Sequence, residues 1–140
     1  AGSSVAAMNL VRLGKITGDA ALLGAGEKII RSWMGNVTAQ PAGYVALLSA
    51  LDYLRGPVVE ITLASGSGSD DTVAMLRAIG RRLLPGLVLR RADDSKEFPA
   101  VDGRTTAYVC AAGACRPPLV NLPELEMLLD EIVEIDAGQR

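Results

Sequence analysis

Histidine does not occur in this chain of 140 residues, and that absence removes more chemistry than any other count. It excludes a Ser-His-Asp triad, a Cys-His nucleophile pair, a His-ligated zinc and imidazole acid/base catalysis near neutral pH. Cysteine is scarce as well: Cys110 and Cys115 are the two present, so a four-cysteine zinc site is excluded. No cofactor is implied. Charge of either sign is modest, with 14 basic against 16 acidic residues and a net charge of −2, which argues against a nucleic-acid binder. No apolar run approaches the ~20 residues of a membrane span, and the first residues lack the charged and apolar regions of a signal peptide. The expectation is a soluble, cytoplasmic module with no nucleic-acid and no membrane partner.

What the chain does have is apolar side chains, 49% of the total. A domain of this size hides roughly two-thirds of its unfolded surface, so folding requires neither a disulfide nor a metal. The first third reads as helix. Ser4 is the expected N-cap of a helix carrying Val5, Met8, Leu10, Val11, Leu13 and Ile16, an apolar arc wider than one face. Thr17-Gly18-Asp19 reads as the corner of an αα-hairpin, Gly18 closing one helix and Asp19 starting the next. The second helix runs through Leu23, Glu27, Ile30 and Trp33 to an expected stop near Gly35. A third follows Pro41, with Tyr44, Leu47, Leu48, Leu51 and Leu54 at helical spacing, and ends at Gly56-Pro57.

After Pro57 the period changes. Val58 to Leu63 is a β-branched run that ends in a Gly/Ser-rich turn, and the helix behind it, with Val73, Leu76, Ile79, Leu83 and Leu84, is expected to be capped by Asp70 or Asp71 and to stop at Pro85-Gly86. Leu87-Val88-Leu89 is then a second strand, and a βαβ crossover is the natural connection. Asp102-Gly103 marks a turn ahead of the strand Thr106-Ala107-Tyr108-Val109-Cys110, and an acidic helix begins at Asn121 or Leu122-Pro123. The predicted fold class is mixed α and β: three N-terminal helices, residues 1–56, followed by a small α/β subdomain with a βαβ unit, residues 57–140. Three helices with such broad apolar arcs look like pieces of a larger helical array that have lost a neighbour.

Several stretches in family order resemble the thioredoxin-domain-containing YyaL / spermatogenesis-associated protein 20 family. They are residues 2–13, the corner Thr17-Gly18-Asp19, residues 44–52 with Gly56-Pro57, residues 76–85, and Val101-Asp102-Gly103-Arg104-Thr105-Thr106-Ala107-Tyr108-Val109-Cys110 with Cys115 and Pro117. The resemblance implies that residues 1–56 end an (α/α)6, six-hairpin glycosidase-like toroid and that the chain is the C-terminal region of a longer protein. Ser3-Ser4 looks like the family's Gly-Asn-Ser segment with Ser3 in place of Asn. The family's thioredoxin-like cysteine motif has no counterpart in these residues, so redox chemistry of that domain lies outside them.

Among candidate sites, Cys110 and Cys115 stand at C-x4-C spacing. They are read either as a redox dithiol, exchanging with another domain or forming a regulatory disulfide, or as two reduced cysteines at a strand end and in a loop. A bridge requires Cα atoms within ~7 Å. Gly66-Ser67-Gly68-Ser69-Asp70-Asp71-Thr72 follows a strand and opens a helix, where phosphates are often held. It lacks the glycine of a dinucleotide fingerprint and the Gly-Lys of a P-loop, and Asp70 and Asp71 repel an anion. Arg77, Arg81, Arg82, Arg90 and Arg91 face, by charge, the acidic run Glu124, Glu126, Asp130, Glu131, Glu134 and Asp136, which suggests intramolecular pairing or an acidic partner. Glu27, Asp52 and Glu60 form no convincing glycosidase pair, and Trp33, Tyr44 and Tyr53 read as core.

Taken together, these residues are expected to form a non-catalytic structural or interaction module docking on the remainder of its parent chain, with self-association through residues 1–56. The alternative is part of a carbohydrate-binding or sugar-processing pocket, epimerase- or glycosidase-like, completed by the missing toroid. Ser3, Asn9 and Tyr44 are its candidate pocket residues.

Overall fold

The computed structural model describes residues 2–93, 95–111 and 113–139, without the side chains of residues 69, 136, 137 and 139. Ala112 of the cysteine spacing and the Asp136 side chain of the acidic run lie outside the described residues. The fold is mixed α and β, with three N-terminal helices ahead of a small α/β part. The chain divides into two compact units at Gly56 and Pro57.

In the first unit, α1 (Gly2–Thr17), α2 (Ala20–Ala39) and α3 (Val45–Arg55) pack on one another, with a 3-10 turn at Pro41–Tyr44 leading into α3. The corner between α1 and α2 forms from local chemistry. Gly18 takes the left-handed φ of 72° that closes α1. Asp19 caps α2, its carboxylate accepting from the amides of Ala21 at 2.8 Å and Leu22 at 3.3 Å. Ala7, Val11, Ile30, Val37, Leu47, Ala50 and Tyr53 form the core. Lys15 reaches the C-terminal end of α3, where its Nζ lies 4.9 Å from the Tyr53 ring centre and donates to the carbonyls of Tyr53 and Gly56. Burial holds this ammonium below the usual lysine range.

Two sequence expectations fail in this unit. Ser4 is not an N-cap, because α1 already begins at Gly2. Gly35 does not stop α2, which continues to Ala39 and carries Val37, 4% exposed, into the core; packing overrides the weak helix propensity of glycine.

The second unit is a four-stranded sheet of order β2-β1-β3-β4, made of β1 (Val59–Ala64), β2 (Leu87–Arg91), β3 (Thr106–Ala111) and β4 (Ala114–Cys115). β1 and β2 are parallel and joined through α4 (Ser69–Gly80), the predicted βαβ unit, whereas β1–β3 and β3–β4 are antiparallel. Alternation along the strands decides the faces. Val59, Ile61, Leu63, Ala107 and Val109 face the helices and pack with Met75 and Ile79 of α4 and Leu125, Leu129 and Ile132 of α5 (Leu122–Gln139). Glu60, Thr62, Tyr108 and Cys110 take the other face, where Phe98 meets Tyr108 edge-on at 5.1 Å. Neither Asp70 nor Asp71 caps α4. The N-cap is Gly68, and the two carboxylates sit in the first turn, where they still favour the helix dipole. α4 also ends earlier than expected, at Gly80, and leaves Leu83 81% exposed. Asn121 does cap α5, accepting from the Glu124 amide at 3.0 Å.

Candidate functional site

Cys110 and Cys115 meet in the β3–β4 hairpin. Gly113, at φ 79°, supplies a left-handed turn residue. The Arg116 amide donates to the Val109 carbonyl at 2.9 Å. Because hydrogen-bonded and non-hydrogen-bonded pairs alternate along an antiparallel ladder, the next pair, Cys110 opposite Cys115, is a non-hydrogen-bonded one, in which Cα atoms come closest. Their Cα atoms are 4.0 Å apart and the sulfurs are joined in a disulfide. Cys115 is exposed and Cys110 is half-buried.

The row continues across the sheet. Cys110 is in register with Glu60 of β1, whose Oε2 accepts from Arg90 Nη2 at 3.0 Å. Arg90 Nε is buried and has no hydrogen-bond partner.

On the opposite face of the same hairpin lies an apolar cleft of about 310 Å³, lined chiefly by Val59, Val109, Ala111, Ala114, Ile132 and Ile135, with Cys115 at its edge. Arg116 and Glu131 border it and form an ion pair at 3.0 Å, tying the end of β4 to α5. Neither the cleft nor this pair was anticipated in the sequence. The available signal was the alternation Val109, Ala111 against Cys110, together with the basic residue immediately after Cys115.

The other candidates are placed as follows. Ser3 and Asn9 are exposed on α1; six residues at about 100° each put them some 120° apart around the helix axis. Tyr44 is half-buried and packs beside Trp33, ring centres 6.0 Å apart. The structure therefore unites the two cysteines and does not bring Ser3 and Asn9 onto one stripe. In the Gly/Ser-rich turn, the Gly66 amide donates to Thr105 Oγ1 at 3.2 Å and the Ser67 amide to the Gly103 carbonyl at 2.9 Å. Two donors that a phosphate would need are already engaged inside the protein.

Charge pairing between the helices runs through Arg82. Its Nε donates to Asp130 at 2.7 Å, Nη1 to the Ala78 carbonyl at 2.7 Å, and Nη2 to the Glu126 carbonyl at 3.3 Å. That hydrogen bond from Arg82 holds the Asp130 carboxyl below the usual carboxylate range and raises Arg82 further. Of the remaining basic cluster, Arg90 pairs with Glu60 and Arg91 with Asp93. Hydrogen bonding to Ser65, then Arg91, lowers the Asp93 carboxyl. Among the described residues, no group of three or more acidic or cysteine side chains is arranged to hold a metal ion, and no helix is long and apolar enough to cross a membrane.

No family model matches this chain, and no solved structure matches it. Among curated proteins it is similar to spermatogenesis-associated protein 20 of Homo sapiens, 25% identical over 139 residues, which cover 91% of this chain and 18% of that protein. The same protein of Rattus norvegicus is 25% identical over 141 residues, 92% of this chain and 18% of the relative. Both agree with the resemblance read from the sequence. The chain spans less than one fifth of the length of these relatives, as a piece of a larger protein would.

Proposed function

We propose that this chain is a non-catalytic, cytoplasmic structural and interaction module at the C-terminal end of a longer thioredoxin-domain-containing protein, its helical unit seating against a further helix of that protein. The observation that carries the reading is the outward face of α1. Val5, Leu13 and Ile16 are 58%, 49% and 41% exposed. At about 100° per residue they fall within an arc of some 80°, on the side of α1 opposite the buried Ala7, Val11 and Gly14. Asn9 is exposed within the same arc, so the face is rich in apolar side chains rather than wholly apolar, and such a face on a water-facing helix supports an interaction surface. The relatives hold more than four-fifths of their length outside the matched region, which supplies chain to cover it.

A photo-crosslinking residue at position 13 of the longer protein tests the reading. The expected product joins position 13 to a helix outside the matched region. Labelling of position 13 by solvent alone, as fast as in the isolated chain diluted to monomer, overturns it. In the isolated chain the same stripe is expected to pair two copies, and Leu13→Glu to return sedimentation to that of a monomer.

A further inference from the structure

We infer that the Cys110–Cys115 bond is a thiol–disulfide exchange site, with the Cys115 sulfur as the atom that an incoming thiolate attacks. This goes beyond the docking role and rests on different residues. An attacking thiolate must reach one sulfur along the S–S axis, so access selects the target. Cys115 is exposed on a two-residue edge strand, whereas Cys110 is half-buried in β3 between β1 and β4. Exposed disulfides are the labile and regulatory ones, in contrast to buried structural bridges.

The exchange is balanced in two steps. The thiolate of a small thiol or of a protein dithiol bonds to Cys115 Sγ, the S–S bond breaks, and Cys110 leaves as a thiolate. A second thiolate then attacks the incoming group's own sulfur and releases Cys115 as a thiolate. The thiol partner has become a disulfide, and the protein has gained two electrons. Running backwards, Cys110 closes on Cys115 and expels the incoming thiol, because the hairpin register keeps their Cα atoms 4.0 Å apart.

The surroundings tolerate the open state. Neither cysteine belongs to a hydrophobic core cluster. Opening leaves the Arg116–Val109 backbone bond and the Arg116–Glu131 ion pair in place to hold β4. Glu60, in register with the departing Cys110 thiolate, is already paired with Arg90, so one local negative charge is compensated.

The test uses the native chain in two arms, reduced glutathione in one and a reduced protein dithiol of the thioredoxin type in the other. Samples are acid-quenched, alkylated and mapped by mass spectrometry, with circular dichroism recorded in parallel. The expected result is a mixed disulfide on Cys115 in about tenfold or greater excess over Cys110, with helix content unchanged, and the more reactive arm identifies the class of thiol. Equal capture on both sulfurs overturns the proposal. So does a bond that opens, in both arms, only at denaturant concentrations that unfold the chain. In support, Cys110→Ser should take up oxidised glutathione about tenfold faster than Cys115→Ser; should either variant unfold, the mapping on the native chain still decides.

Discussion

The hydroxyl of Thr72 in the first turn of α4 lies 2.8 Å from the hydroxyl of Thr105 at the foot of β3, and both side chains are buried. Thr105 Oγ1 also accepts from the Gly66 amide, so one hydroxyl ties the turn after β1, the start of α4 and the approach to β3. Thr105→Val keeps the shape and removes that acceptor, leaving a buried hydroxyl and an amide unsatisfied. A loss of about 1 to 3 kcal/mol in urea unfolding is expected, and Thr105→Ser should recover most of it. Equal stability of the valine and serine variants would show that the hydroxyl contributes nothing.

Two glycines of α2 are expected to respond in opposite directions to the same substitution. A Cβ at Gly24 meets nothing within 4 Å, whereas one at Gly26 would stand 2.6 Å from Val11 Cγ2 and 3.2 Å from the Ala7 carbonyl oxygen. Gly24→Ala should stabilise by roughly 0.5 to 1 kcal/mol through helix propensity. Gly26→Ala should destabilise by about 1 to 3 kcal/mol, because Val11 is fully buried and has little room to move. Thermal unfolding of the two variants checks the signs.

The Arg82–Asp130 pair makes the α4–α5 contact sensitive to acid. Arg82 lowers the Asp130 pKa in the folded state relative to the unfolded one, so this contribution is present above the ordinary carboxylate range and is lost as the pH falls through the lowered folded value. The melting temperature of the native chain should therefore exceed that of Asp130→Asn at neutral pH, with the gap closing below about pH 4. A gap that persists unchanged to pH 2 would assign the effect to something other than this carboxylate. Arg82→Ala should cost about 1 to 2 kcal/mol, since the 15%-exposed side chain also holds the Ala78 and Glu126 carbonyls.

The parts of this fold that were legible in the sequence are those decided within one turn of chain. Gly18 and Asp19 specify the first corner, Asn121 the start of α5, and the β-branched run after Pro57 the central strand, each through its own backbone or cap chemistry. Gly35 and β4, one misread and one missed, depend on what they pack or pair with rather than on their own residue types. Gly35 sits inside α2 because Val37 two residues later is drawn into the core. β4 is two exposed residues that carry no strand signature; it is a strand only by its register with β3. The hairpin register likewise sets Cys110 opposite Cys115, a placement that C-x4-C spacing by itself leaves open.

Reduction of the disulfide is expected to weaken the second unit without dismantling it. The bridge closes a short loop, sequence separation 5, and chain-entropy arguments give such a loop about 2 kcal/mol. Because both cysteines lie outside the apolar cores, the area exposed on unfolding should be nearly the same in both redox states. Dithiothreitol should then lower the urea midpoint while leaving the slope and the far-ultraviolet dichroism at zero urea unchanged. Opening the bridge removes one of the ties on β4, whose Ala114 lines the cleft, so an apolar fluorophore should bind more strongly to the reduced folded chain than to the oxidised one. Identical midpoints in both redox states would show that β4 is held by Arg116 alone, whereas loss of helix content on reduction would make the bridge a requirement of the fold.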